Sequence, residues 1–232
     1  WVEGGDGGFW HPDDRTLVFI GDLADRGPGS VDVWELALAM LDADNALFVP
    51  GNHEAKLARF LQGRSVRITH GVEVTVQQFR RLPDQRRAEL DPQIIETILE
   101  APPYLILDGA NLVVAHAGLE DWMIGDVDRR ISIFARYGEP TGEYTGLGLP
   151  IRRDWVQSYR GSPLIVYGHT PVDEPEFRHN TINIDQGCCF GGALTALRYP
   201  ELEIVSIPAK KTYATPTMSD RVADRLSSVG DG

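Results

Sequence analysis

Apolar residues alternate between short unbroken runs and longer stretches with helical spacing, and the two rhythms predict a mixed architecture. Thr16 to Ile20 reads as a buried strand. Ser30 then serves as N-cap of a helix from Val31 to about Asp42, with Val33, Leu36, Ala37, Met40 and Leu41 on one face. Ala46 to Val49 forms a second strand, stopped by Pro50-Gly51, and a helix from Glu54 to about Gln62 follows. Residues 72–100 carry helical patterns around Val76, Phe79 and Leu82 and again around Ile94, Ile95, Ile98 and Leu99, ended by Ala101-Pro102-Pro103. They read as a helical insertion or flank.

Tyr104 to Leu107 and Leu112 to Ala115 predict a hairpin through Asp108-Gly109. Asp126 to Phe134 has helical spacing, whereas 137–150 is rich in Gly and Pro and reads as a surface loop bordering the site. Leu164 to Tyr167, Thr181 to Ile184, Leu194 to Leu197 and Ile204 to Ile207 add four strands. Residues 1–14 read as a loop and 210–232 as a tail with one amphipathic turn at Val222 to Leu226. Strand, helix, strand, helix predicts an α/β fold with its site at strand ends, in a single domain spanning 1–232 whose folded core is 16–208.

Composition narrows the functional classes. The chain has 232 residues, 42% hydrophobic and 24% charged, with a net charge of -12, which argues against broad electrostatic binding to nucleic acid or an anionic membrane. Its apolar runs fall far short of the roughly 20 residues that a membrane helix needs. The only cysteines, Cys188 and Cys189, are neighbours and would close a disulfide only under strain, so two buried thiols and a cytoplasmic location are expected.

Polar residues at the strand ends carry the candidate chemistry. Gly21-Asp22-Leu23-Ala24-Asp25-Arg26-Gly27 follows the first strand and combines two carboxylates with a guanidinium. Carboxylates there can hold a divalent cation, and the arginine can grip phosphate oxygens. A polar turn leading into the next helix is the plain structural alternative. Gly51-Asn52-His53-Glu54, His116-Ala117-Gly118 and Gly168-His169-Thr170 repeat the pattern at three further strand ends. Asp22, Asn52, His116 and His169 make a mixed oxygen and imidazole set that suits manganese, iron, zinc or related ions. His11, His70 and His179 lack this context and read as surface or loop residues.

These four motifs, in this order, resemble those of the calcineurin-like metallophosphoesterases, in the phosphoprotein phosphatase branch. The resemblance spans roughly residues 16–208 and implies a β-sandwich flanked by helices. Gly51 to Arg59, Val166 to Val172, Thr181 to Asp185 and Leu194 to Pro200 look closest to the phosphatase domain of bacterial polynucleotide kinase-phosphatase, with Gln186 where the usual form has Thr. The resemblance implies two divalent cations, manganese first, with nickel, iron, zinc and cobalt as alternatives, and in-line attack of water on phosphorus. By the same resemblance Asp22 bridges the metals, and Asn52, His116 and His169 complete the second metal's ligands. Arg26 holds the phosphate, His53 is the general acid oriented by Asp25, and Asp185 lies near the site.

The family's opening Asp-x-His-Gly motif, which supplies the first metal, has no counterpart before Gly21. Asp6 and His11 are not assigned as replacements. The expectation is either an N-terminally shortened chain or one that has lost half of its metal pair, with hydrolysis dependent on ligands from elsewhere. The leading function is hydrolysis of phosphomonoesters, at RNA or DNA end phosphates or 2′,3′-cyclic phosphates. Serine/threonine protein phosphatase and dinucleoside polyphosphate hydrolase are the enzyme alternatives, and an impaired one-metal binding module is the alternative of another class. A kinase or ligase partner is expected from the closest resemblance, since no Gly-x-x-x-x-Gly-Lys-Ser/Thr loop occurs in this chain.

Overall fold

The computed structural model describes residues 1–4, 9–69, 71–144 and 150–215. Asp6, His70, the stretch 145–149 of the expected surface loop and the expected turn at Val222 to Leu226 lie outside the described residues. The chain divides into two units, Trp1–Pro102 and Pro103–Gly232.

The first unit opens with an antiparallel pair, β1 (Val2–Glu3) and β2 (Phe9–Trp10), where the sequence predicts only a loop. Two-residue strands are too short to show alternation. The apolar run becomes β3 (Leu17–Phe19), which α1 (Ser30–Asp42) connects to the parallel strand β4 (Ala46–Phe48) in the register Leu17 to Ala46. Three helices follow, α2 (Asn52–Leu61), α3 (Val72–Arg81) and α4 (Asp84–Glu100). Their apolar faces close over Trp34, which is fully buried and meets Phe48 edge to face at 5.9 Å, with Leu57, Phe79, Leu90 and Ile94 around it.

The predicted inner face of α1 is rotated in the structure. Trp34, Ala37, Leu38 and Met40 are buried, whereas Val33 is exposed. Residues 33–41 are apolar on nearly every side, so spacing alone could not select the face. Ser30 is the first helical residue rather than the cap; Gly29 is the cap, and the Ser30 hydroxyl pairs with that of Thr75 at 2.9 Å. Leu99, read as part of the α4 apolar face, is exposed.

In the second unit β5 (Tyr104–Leu107) and β6 (Leu112–Ala115) form the predicted hairpin, turning through a 3-10 turn at Asp108–Ala110. Helix α5 (Arg129–Tyr137) starts later than predicted, because the Asp128 carboxylate accepts from the Ile131 N–H at 2.7 Å and caps it there. The stretch 137–150, read as a surface loop, contains β7 (Pro140–Tyr144) and runs into its antiparallel partner β8 (Pro150–Arg152). The remaining strands are β9 (Leu164–Tyr167), β10 (Phe177–Arg178), β11 (Thr181–Asn183), β12 (Asp185–Gln186), β13 (Ala193–Arg198) and β14 (Glu203–Pro208).

They make a five-stranded sheet in the order β10-β11-β9-β6-β5 and a three-stranded antiparallel sheet β12-β13-β14. In the larger sheet β6, β9 and β11 are parallel and the two outer strands antiparallel. Val113 and Ile165 on its central strands pack with Leu119, Ile131, Phe134, Trp155 and Tyr159. Cys188 and Cys189 lie on a short 3-10 turn, partly exposed rather than buried as expected; burial still raises the Cys188 pKa. Among the described residues no helix is long and apolar enough to cross a membrane.

Gly118 is a fixed point of this second core. Its φ is +100°, and an added Cβ would lie 2.0 Å from the Trp155 ring. Gly118→Ala is therefore expected to destabilise the protein by about 3 kcal/mol or more, from overpacking combined with left-handed strain. Urea unfolding measures this, and a change below about 1 kcal/mol would show that the ring gives way.

Candidate functional site

Parallel pairing brings the first two motifs to one edge. Strands β3 and β4 run side by side and both point their carboxyl ends at Gly21-Asp22 and Gly51-Asn52. One buried side chain then ties those ends together. Glu54, fully inaccessible in the first turn of α2, accepts from the backbone N–H of Asp22, Leu23 and Gly51, each at 2.8 Å. In the sequence Glu54 closes the Gly51-Asn52-His53-Glu54 motif with no task of its own. The available signal was an acidic residue at the third position of a helix, where it can accept from the cap N–H.

The helix also begins earlier than predicted, at Asn52, so Asn52 and His53 project from its first turn. His53 is buried, and its Nδ1 forms a very short bond with Asp25 Oδ2. Burial alone would lower the His53 pKa, but the carboxylates of Asp22 and Asp25 outweigh it and the Arg26 charge, so the net shift is upward. A raised pKa keeps the imidazole protonated to higher pH, the form in which it can donate a proton.

The loop between Asp22 and Ser30 is held in a strained shape. Asp22, Asp25 and Arg26 have φ of 55°, 79° and 63°, left-handed values that side-chain-bearing residues seldom adopt. Helix α3 braces it. The Asp25 N–H donates to Thr75 Oγ1 at 2.9 Å and the Arg26 N–H to the Gly71 carbonyl at 3.1 Å, while Gln78 Nε2 donates to the Gly27 carbonyl at 3.1 Å. A Cβ on Gly71 would meet Arg26 Cγ at 2.2 Å, so this position needs glycine. The segment predicted as an insertion or flank thus supports the site loop. Thr75, Gln78 and Gly71 are the supporting residues that the sequence did not reveal.

The second unit repeats the strand-end arrangement. His116 follows β6 and His169 follows β9, its parallel neighbour, and the Gly168 N–H donates to the His116 carbonyl at 2.9 Å. His116 is buried, its Nε2 lies 3.1 Å from His169 Nδ1, and the rings meet edge to face. Ligand nitrogens about 2.0–2.1 Å from one ion lie close to this far apart, so the pair fits a shared cation. Both are among the side chains that could hold a metal ion.

Asp185 sits just beyond β11, the next parallel strand, where its Oδ1 accepts from the Gly187 N–H at 3.0 Å and shapes the turn. Gln186 beside it is buried, with Oε1 lacking a hydrogen-bond partner among the described residues. His11 is a half-buried loop residue and His179 an exposed turn residue, as read from sequence. The structure brings Asp25 to His53 and His116 to His169, and sets Asp22 and Asn52 on strand ends joined by Glu54.

The calcineurin-like phosphoesterase family model matches residues 9–173. The chain belongs to the calcineurin-like phosphoesterase family. Family membership makes it a phosphoesterase, and the family's hydrolysis depends on metal. Two relatives are bis(5′-nucleosyl)-tetraphosphatase PrpE (asymmetrical) of Anoxybacillus flavithermus, 48% identical over 203 residues, and the same-named protein of Geobacillus thermodenitrificans, 50% identical over 203 residues. Each alignment covers 88% of this chain and 83% of the relative. A solved structure, "of a putative diadenosine tetraphosphatase", superposes with a TM-score of 0.60 at 22% identity, covering 86% of this chain and 82% of its own, a likeness of fold.

Replacing Glu54 isolates its role. Glu54→Gln leaves backbone donors facing an amide and is expected to cost about 2–4 kcal/mol, since each hydrogen bond to a buried charged acceptor contributes about 1.5–3 kcal/mol. Chemical denaturation provides the measurement. Stability within about 0.5 kcal/mol of the unaltered protein would show that the carboxylate does not pin the two strand ends.

Proposed function

We propose that this phosphoesterase hydrolyses dinucleoside tetraphosphates off centre, to a nucleoside monophosphate and a nucleoside triphosphate. The carrying observation is identity of 48% and 50%, over 88% of the chain, to proteins named as asymmetrical bis(5′-nucleosyl)-tetraphosphatases. Those relatives favour the dinucleoside polyphosphate alternative over nucleic-acid end phosphates, the leading expectation from sequence. The relatives give no support to the kinase or ligase partner that the resemblance to polynucleotide kinase-phosphatase implies.

In this reading Asp22, Asn52, His116 and His169 are the divalent-cation ligands, as the family resemblance implies. Manganese is preferred, with nickel, iron, zinc and cobalt as alternatives, and a second cation is the family expectation. When bound, such a cation supplies Lewis acidity that activates water and neutralises phosphate charge. Arg26 grips oxygens of the polyphosphate. His53, whose pKa lies above its ordinary value, donates to the departing phosphate oxygen, and Asp25 holds the ring through Nδ1, which leaves Nε2 for the substrate. Asp185 is a positioning residue that keeps the turn after β11 in shape. The neighbouring thiols of Cys188 and Cys189 suit a reducing, cytoplasmic setting.

A side-by-side assay with manganese of diadenosine tetraphosphate, a 3′-phosphorylated oligonucleotide, a 2′,3′-cyclic nucleotide and a phosphopeptide tests the reading. Diadenosine tetraphosphate should turn over fastest, giving AMP and ATP, and chelation should abolish the activity. His53→Ala should lower kcat by about 10²- to 10⁴-fold, the usual contribution of a general acid. Dominant turnover of the oligonucleotide or phosphopeptide overturns the substrate class. Turnover of none with any divalent metal returns the chain to the binding-module alternative.

A further inference from the structure

Trp122 is a large aromatic residue that neither core nor the proposed chemistry uses. It lies on the segment after β6, six residues beyond His116, and is 50% exposed. An exposed indole on a short 3-10 turn would ordinarily sample several rotamers, but this one is fastened. Its backbone N–H donates to Asp121 Oδ1 at 3.0 Å, and its indole Nε1–H donates to Glu120 Oε2 at 2.6 Å. Glu120 is itself buried and ion-paired to Arg153, which also binds Glu139 at 2.9 Å. The Arg130 guanidinium lies over the ring, 5.0 Å from its centroid.

We propose that Trp122 is a stacking platform for a nucleobase, and that it receives the nucleoside at one end of the dinucleoside polyphosphate; this rests on the function proposed above. Three observations carry it. The ring is oriented before any ligand arrives, through an edge bonded to a side chain that is itself paired, so stacking a base costs little ordering. The indole stays half exposed although one edge is bonded and Arg130 covers part of it, so aromatic surface remains for a second ring. The chain from His116 holds Trp122 within about 20 Å of that residue, inside the span of an extended dinucleotide.

The chemistry is that of base stacking, which every nucleobase satisfies with its π-face. Arg130 adds a positive charge at the platform in a chain of net charge -12, where a phosphorylated ligand otherwise meets repulsion. The platform therefore selects for a nucleoside but not for a particular base, and diguanosine and diadenosine tetraphosphates should bind alike.

The test compares the full chain with Trp122→Ala and Trp122→Phe. With diadenosine tetraphosphate, Trp122→Ala should raise KM about tenfold, the size of effect that removing one stacked base produces, with kcat unchanged and Trp122→Phe largely restoring KM. Inorganic tripolyphosphate, which offers the anhydride without a base, should be unaffected. An unchanged KM for the dinucleotide, or an equal loss with tripolyphosphate, overturns the proposal. A second readout needs no turnover: quenching of tryptophan fluorescence by AMP in the presence of chelator. Its loss in Trp122→Ala supports the platform even if no dinucleotide is hydrolysed, an outcome that sinks the function alone; undiminished quenching overturns it. Trp122→Gln, which can still meet Glu120, serves with the same outcomes should alanine disturb the loop.

Discussion

The first unit depends on one buried carboxylate. Glu54 sits at the start of α2 without solvent access, and three backbone N–H groups from two strand ends converge on it. A charge so placed is tolerable only because every donor is aimed at it. This arrangement fixes where Asp22 and Asn52 begin, and the left-handed residues that follow Asp22 inherit their direction from it. Helix α3 then closes the loop from the other side through Thr75, Gly71 and Gln78, so strain at Asp25 and Arg26 is balanced by several backbone hydrogen bonds.

The second unit brings its own pair of candidate ligands together by a different device. Parallel strands β6 and β9 end together, and a backbone bond from Gly168 to His116 joins the two exits. The histidines face each other because their strands are neighbours in register. Trp155 lies below, and the space it needs explains why the motif ends in Gly118.

Family membership and these local geometries agree on phosphate chemistry, and they divide the work. Metal-ligand types, an arginine in the Asp22 loop and a carboxylate-paired histidine suit any phosphate ester or anhydride. Substrate choice must come from what surrounds them, since a fold and its reactive centre do not name the substrate. The fastened indole of Trp122 is such a surrounding feature, and it distinguishes a nucleotide from a bare phosphate.

What the sequence determined by itself was where the motif residues fall and the elements that carry them. Apolar runs ending in Asp22, Asn52, His116 and His169 were readable because strand and motif are contiguous, and the hairpin at Asp108-Gly109 because its turn chemistry is local. The tertiary structure decided which face of α1 is buried, since its apolar residues surround the helix. It also decided that residues 72–81 brace the site loop, that 137–150 contains one strand and runs into its partner, and that Glu54 pins two strand ends. These depend on partners far apart in the chain, such as Asp25 with Thr75, and no local pattern records where a distant donor will lie.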